Sequence, residues 1–283
     1  MVRIVSINVN GVRAAFRKGM GEWLEASGAD IVAMQEVRAL DEDLLPLVPD
    51  WHVLHDPATA KGRAGVAVLS REPSIGHRTD LGLKTFDSKG RWLEADFLVG
   101  ETPLTVVSTY VHSGDVGTPK QVEKYKFLDS MAKRLPQLRE HAEHVVVMGD
   151  FNVGHTPLDI RNWKGNQKNA GFLPEERSYL DRFLGTGMVT GVDGKRGRGH
   201  GWVDVGRVAH PDVDGPYTWW SQRGKAFDND TGWRIDYQMA SPALAARASG
   251  YRVDKAATWD TRWSDHAPVI VDYDLRSLGL GPP

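Results

Sequence analysis

Short apolar runs recur along the chain at fairly even spacing, at residues 4–7, 31–34, 65–69, 92–99, 104–111, 145–148, 217–220, 235–240 and 268–271. Most are β-branched and bounded by Gly, Asp, Asn or Pro, which is the punctuation of strands. Between some of them the apolar period lengthens to that of a helix. Residues 16–27 place Phe16, Met20, Trp23 and Leu24 on one stripe. Residues 119–139 open with Thr118 as an N-cap and Pro119 in the first turn, then carry Val122, Tyr125, Leu128, Met131 and Leu135 near helical spacing. Residues 174–184 repeat the idea with Leu180, Phe183 and Leu184. Strands dominate and do not alternate strictly with helices, so the pattern predicts an α/β chain of two face-to-face sheets with helices on their outer faces. Two stretches read as loops. Residues 154–171 are polar and carry Arg161, Lys164 and Lys168; residues 191–201 are Gly-rich and basic, fit either for phosphate or for an unstructured surface insertion. No linker composition or charge shift divides residues 1–283, which read as a single domain.

Composition narrows the class. A chain of 283 residues with 41% hydrophobic residues can bury one large core, which excludes disordered tails and rods. The absence of cysteine excludes a disulfide scaffold, thiolate zinc sites and a thiol nucleophile. No apolar run approaches the ~18 residues of a membrane span, and the first residues lead straight into a strand rather than a signal peptide. The expectation is a soluble, cytoplasmic monomer that needs no membrane. A formal charge of −2 argues against binding nucleic acid by bulk charge alone. It leaves room for an enzyme that grips phosphates locally around a carboxylate-rich centre.

The chemistry sits where apolar strands end. The first run leads into Asn8-Val9-Asn10-Gly11, the second into Gln35-Glu36, the fifth reaches Tyr110, and the sixth ends in Gly149-Asp150-Phe151-Asn152. Asp236 lies among apolar strand neighbours, and Asp265-His266 precedes the last run. If these ends converge, they offer hard oxygen donors and one imidazole on rigid elements. Such donors suit Mg²⁺ or Mn²⁺ rather than zinc. Glu36 could hold the ion, Asp150 could deprotonate a water, and an imidazole beside Asp236 could stabilise an anionic transition state. The composite is metal-assisted hydrolysis of a phosphate ester. A P-loop, a His-Glu-x-x-His helix and a Gly-x-Ser-x-Gly elbow are all missing. His141 and His144 read as solvated charges near a helix end.

Eight segments are specific enough to carry a family resemblance: Ser6-Ile-Asn8-Val-Asn10-Gly11-Val-Arg13-Ala14, Met34-Gln35-Glu36, Gly149-Asp150-Phe-Asn152-Val, Arg161-Asn-Trp-Lys-Gly-Asn166-Gln-Lys-Asn169-Ala-Gly-Phe172, Leu173-Pro-Glu-Glu-Arg177, Tyr217-Thr-Trp-Trp220, Gly232-Trp-Arg-Ile-Asp236-Tyr237 and Ser264-Asp265-His266-Ala-Pro268. In this order they resemble the exonuclease III type of apurinic/apyrimidinic endonuclease, within the endonuclease/exonuclease/phosphatase superfamily. The resemblance implies a four-layered, DNase I-like α/β-sandwich and Mg²⁺-dependent cleavage of double-stranded DNA 5′ to abasic sites. It also implies 3′→5′ exonuclease activity and trimming of blocked 3′ ends, in a cytoplasmic protein that is nucleoid-associated if prokaryotic. Carried over by position, Glu36 is the main metal ligand with Asn8, Asn10 and Asp265 close by. Asp150 activates the water, Asn152 positions it, His266 paired with Asp236 binds the scissile phosphate, and Tyr110 contacts the phosphate or leaving group. Arg13, Arg38 and Arg91 are implied phosphate contacts, worth mainly salt-dependent affinity. Asn166, Lys168 and Asn169 line the DNA side, and Trp219 and Trp233 close on a flipped-out sugar, a pocket that a nucleotide lacking its base enters cheaply.

The chain also departs from the pattern. After Tyr110 it reads Val111-His112-Ser113-Gly114 where relatives carry an asparagine, and Arg63-Ala64-Gly65 replaces an aromatic-Ser-Gly. The stretch 189–216 is longer and richer in Gly and His than expected. Two other readings share the superfamily motifs: a non-specific nuclease or lipid-headgroup phosphodiesterase, and a catalytically silent DNA-binding module. The segment 166–172 and Trp233-Arg234-Ile235-Asp236 count against the first, and the full catalytic set counts against the second.

Overall fold

The computed structural model describes residues 1–275. Two six-stranded sheets face each other. The first runs, in spatial order, Ala248–Val253, Val269–Tyr273, Val2–Asn8, Ile31–Gln35, Val66–Ser70 and His52–Asp56. The second runs Val203–Asp204, Asp236–Ala240, Val145–Asp150, Thr102–Tyr110, Trp92–Val99 and Gly76–Arg78. Each sheet has a parallel pair at its middle, Val2–Asn8 with Ile31–Gln35 and Thr102–Tyr110 with Val145–Asp150, while the remaining pairings are antiparallel.

The period of two along the central strands sorts their residues by layer. Ile4, Ala33, Val106, Val146 and Met148 point into the inter-sheet core, whereas Val5, Ile7, Val32 and Met34 face helices Val12–Arg17 and Met20–Ala26. Val107, Val145 and Val147 face the long helix Pro119–His141 through Phe127, Leu128, Met131 and Leu135. The result is the expected four layers, helix on sheet on sheet on helix.

Following the inward rows toward the ends of the central strands, the core turns polar by steps. Apolar residues give way to Ser6, Gln35, Ser108 and Gln238, all buried. Gln35 donates through Nε2 to Ser108 Oγ at 3.1 Å, and Gln238 Nε2 donates to the carbonyls of Ile4 and Val269, both at 3.1 Å. Beyond this satisfied layer the same rows end in Asn8, Tyr110, Asp150 and Asp236. A buried polar layer with its partners in place is what lets charged side chains stand on top of an apolar core.

Several expectations are corrected. The helix expected over 16–27 is two helices broken at Lys18-Gly19, where Gly19 adopts a left-handed φ of 104°. In the long helix Val122 is exposed, and Gln121 and Lys124 take the buried positions. The stretch 154–171 contains a 3₁₀ turn, Pro157–Asp159, and a one-turn helix, Trp163–Asn166. The basic stretch 191–201 is no unstructured insertion: Arg196–Arg198 pairs with Met188–Thr190 as a hairpin. The expected strand 217–220 shortens to Trp219–Trp220, paired with Gly232–Trp233. His144 is buried rather than solvated.

Candidate active site

The strand ends do converge. Asn8, at the end of the first strand, donates through Nδ2 to Glu36 Oε1 at 2.9 Å and to Asp150 Oδ2 at 3.0 Å. One amide thus ties a carboxylate of the first sheet to one of the second. Asn8 Oδ1 accepts from the backbone N–H of Asn10 at 2.9 Å, and Asn10 Nδ2 donates to Asp265 Oδ1 at 2.8 Å. Arg38 pairs with Glu36 Oε2. Across the site, His266 Nδ1 meets Asp236 Oδ2 at 2.9 Å, and its Nε2 lies 3.8 Å from Asp150 Oδ2.

Local backbone sets these positions. Of the eight non-glycine residues with left-handed φ among the described residues, Asn10, Glu36, Arg38 and Asn152 belong to the expected site. Strained conformations of this kind persist where surrounding structure over-determines them. Gly149 precedes Asp150 at φ 147°, and a Cβ there would lie 1.9 Å from the Thr109 carbonyl oxygen. Asp236 and Asp150 are register partners on neighbouring strands, as are Tyr110 and Asp150, so three of the candidate catalytic side chains share one rung.

The electrostatics follow from this crowding. Burial raises Asp150 to about 7; the His266 charge opposes the rise, and Asp236 and Glu36 reinforce it. Burial works against a charge on His266, yet the Asp236 carboxylate overrides it and lifts the imidazole to about 10. Burial, with Glu36 and Asp150, pushes the Tyr110 phenol up, so it stays neutral. Burial opposes the charge on Asp265, but His266 and the hydrogen bonds from Asn10 and Trp219 hold it below the usual carboxylate range. At neutral pH the site therefore contains an imidazolium, a phenol and an excess of carboxylate oxygens.

The donor set fits a hard cation. Among the described residues no three His, Cys, Asp or Glu side chains converge as metal ligands. Two carboxylates, Glu36 and Asp265, with the amides of Asn8 and Asn10 linking them, match an ion that keeps several of its waters. Asn8 is already engaged at both ends of its amide.

Asn152 donates through Nδ2 to Asp150 Oδ2 at 3.0 Å and through its backbone N–H to Asp150 Oδ1 at 2.8 Å. Arg91 stacks over the Tyr110 ring at 4.7 Å and donates to the Tyr110 carbonyl at 3.1 Å. Trp219 and Trp233 meet edge to face at 6.0 Å, and Trp219 Nε1 donates to Asp265 Oδ2 at 3.1 Å. Asn169 Nδ2 donates to Asn166 Oδ1 at 2.9 Å, Lys168 beside them is exposed, and their loop runs to Gly171 beneath the Trp233 ring. Arg13 stands apart from this group, paired with Asp43 at 3.3 Å.

Sequence reasoning missed several supports. Thr218 Oγ1 donates to Asp236 Oδ2 at 2.6 Å and accepts from the N–H groups of Ile235 and Asp236, each at 3.1 Å. Ser264 Oγ donates to the Asn8 carbonyl at 2.7 Å. Arg234, wholly buried, joins Asp159 and Asp204 beneath Trp233. A serine or threonine in a loop carries no signal of its own; a charged residue between Trp233 and Ile235 does.

The sequence pattern defining the Endonuclease/Exonuclease/phosphatase family matches residues 5–266. The chain belongs to that family. Within it, the chain is 31% identical to an exodeoxyribonuclease of Bacillus subtilis, over 95% of this chain and 98% of the relative. The fold of this family member superposes on an AP endonuclease from Archaeoglobus fulgidus with a TM-score of 0.83, at 26% identity, over 97% of this chain and all (100%) of the other. It superposes on the 3′-5′ exonuclease NExo from Neisseria meningitidis with a TM-score of 0.81, at 25% identity, over 96% of this chain and 100% of that one.

Proposed function

We propose that this family member is a DNA-repair phosphodiesterase that cleaves the backbone 5′ to abasic sites, with accompanying 3′→5′ exonuclease and 3′-end-trimming activity. The observation that carries the chemistry is the rung Asp236–Asp150 facing His266: a carboxyl near neutrality 3.8 Å from an imidazolium. Asp150 accepts the proton of the attacking water, which Asn152 orients from its position against the same carboxylate. His266, held by Asp236, donates to the scissile phosphate and stabilises its developing charge. Tyr110, a neutral phenol, donates to a phosphate or leaving oxygen. Glu36, Asp265, Asn8 and Asn10 would hold Mg²⁺, with Mn²⁺ as substitute, supplying charge neutralisation and Lewis acidity at phosphate oxygens.

The substrate reading rests on Trp219 and Trp233, an apolar corner next to Asp265 that accepts a sugar without its base. Arg38, Arg91, Arg13, Asn166, Lys168 and Asn169 would contact the duplex around it. The names of the relatives, an exodeoxyribonuclease and an AP endonuclease, support the same substrate class. Among the described residues no helix is long and apolar enough to cross a membrane; a cytoplasmic, single-domain monomer is part of this proposal. The test is a duplex oligonucleotide with one abasic-site analogue, incubated with Mg²⁺ or EDTA beside an undamaged control. A single Mg²⁺-dependent cut 5′ to the lesion is expected, with laddering of the control reporting the exonuclease. No cut in Mg²⁺ or Mn²⁺ would overturn the assignment.

A further inference from the structure

The N-terminal half of helix Pro119–His141 buries a charge that the catalytic scheme does not use. Lys124 and Glu176 are both fully buried (0% exposed), with Nζ and Oε1 2.7 Å apart. A buried ion pair is a poor source of stability, because desolvation offsets its Coulomb attraction. The partners of this pair are what make it informative. Lys124 Nζ also donates to the carbonyl of Asn152 at 2.8 Å and to the carbonyl of Ser113 at 3.3 Å. Those carbonyls lie just beyond the ends of strands Val145–Asp150 and Thr102–Tyr110, past Asp150 and Tyr110 respectively. On the other side, Glu176 Oε2 accepts the backbone N–H groups of Gly171 at 2.6 Å and Leu173 at 3.0 Å. Gly171 lies directly under Trp233, where a Cβ would come within 2.8 Å of the indole.

We propose that Lys124, charge-balanced by Glu176, is a positioning residue for the reaction. Its ammonium gathers the backbone beyond Asp150 and Tyr110 and fixes Asn152 in the conformation that reaches the Asp150 carboxylate. Asn152 sits at φ 51°, a left-handed conformation that costs a non-glycine residue free energy and needs support from its surroundings. That conformation delivers both hydrogen bonds to Asp150, and the Asn152 side chain further donates to the Val111 carbonyl at 3.0 Å. Lys124 grips the backbone carbonyl of this residue while Val111 holds its side chain, so the turn is fixed from both sides. The helix carries Gln121 and Lys124 on its buried face, where an apolar pair would serve packing better. The inference rests on the reading of Asp150 and Asn152 as catalytic.

The decisive variant removes the ammonium without stranding a charge. In Lys124→Met/Glu176→Gln the new amide oxygen can still accept from Gly171 and Leu173. In the wild-type protein Gln121 Nε2 donates to Glu176 Oε1 at 2.9 Å; against the new NH₂ group an amide flip presents Gln121 Oε1, which is otherwise buried without a partner, as the acceptor. Steady-state cleavage of the abasic duplex should show kcat lower by about 10- to 100-fold with KM within roughly twofold, the signature of misplaced chemistry rather than lost binding. Hydrogen exchange of the Asn152 amide, read independently of activity, should accelerate. An unchanged kcat, or a kcat loss that vanishes when each protein is assayed equally far below its own Tm, overturns the proposal. If the wild-type protein cuts no DNA, the functional reading fails by itself; faster Asn152 exchange in the variant then still supports the tie, and unchanged exchange overturns it.

Discussion

His266 and Asp236 form a buried pair, Nδ1 to Oδ2 at 2.9 Å, that leaves the second ring nitrogen aimed at Asp150. Burial alone would strip the proton from this imidazole; Asp236 keeps it, raising the ring to about 10. Charge is therefore present below that value and lost as pH rises through it. The alkaline limb of the kcat profile should lie near 10 in the wild-type protein and move toward 6.5 in Asp236→Asn, with kcat reduced roughly 10²-fold. An alkaline limb unmoved by the substitution would refute the coupling.

Asp150 sets the opposite limb. Its carboxyl, raised to about 7 by burial and by neighbouring carboxylates, is protonated and inert as a base below that pH. Activity should fall as pH drops through 7. Asp150→Asn should lower single-turnover cleavage in Mg²⁺ by about 10²- to 10⁴-fold. Near-normal turnover would remove Asp150 from its role.

Beneath Trp233, burial pushes Asp159 up, but Arg234 and Arg207 more than compensate and hold it at about 2, against an unfolded value of 3.8. A depressed carboxylate contributes stability that is complete above about 4 and lost as pH falls toward 2, on the order of 2 kcal/mol here. Urea unfolding at pH 5 and pH 3 should show this loss in the wild-type protein. Asp159→Asn should be less stable at both, by about 3–5 kcal/mol for breaking the buried pair, with a smaller difference between the two pH values.

Gly149→Ala should be severe for a residue with no side chain to lose. A Cβ 1.9 Å from the Thr109 carbonyl oxygen forces apart the parallel strands that present Tyr110 and Asp150. We expect a loss of about 3 kcal/mol or more, seen as a fall in Tm. kcat should fall even at temperatures where the variant is folded; wild-type kcat there would mean that this close approach does not set the catalytic register.

Much of this arrangement can be read without coordinates. The central strands are apolar on both faces, so their runs stand out, and each ends in a side chain that an apolar strand has no use for. The sheet edges are different. His52–Asp56, Gly76–Arg78, Val203–Asp204 and Ala248–Val253 are short or polar, as edges that must resist further pairing tend to be, and so they carry no periodic signal. Lys124 was hidden for a related reason. The apolar stripe points to Val122, and only the position of Glu176, brought there by the fold, explains why the helix turns its lysine inward. Thr218 is equally silent, since its value lies in being next to Asp236 in space. Arg13 is a motif position whose exposed guanidinium pairs with Asp43, a partner the motif does not indicate.

The antiparallel pairing of Val2–Asn8 with Val269–Tyr273, with Asn10 bonded to Asp265, joins opposite ends of the described chain. During synthesis the ribosome releases the first partner long before the second exists. Asn8 and Glu36 can meet early, but Asp265 and His266 arrive only with Val269–Tyr273, the last strand among the described residues. On the proposed mechanism, a chain that stops before this strand would lack the imidazolium and should not cut DNA until the sheet closes. The pairing of Val2–Asn8 with Val269–Tyr273 would thus tie the onset of cleavage to the meeting of two segments far apart in the chain.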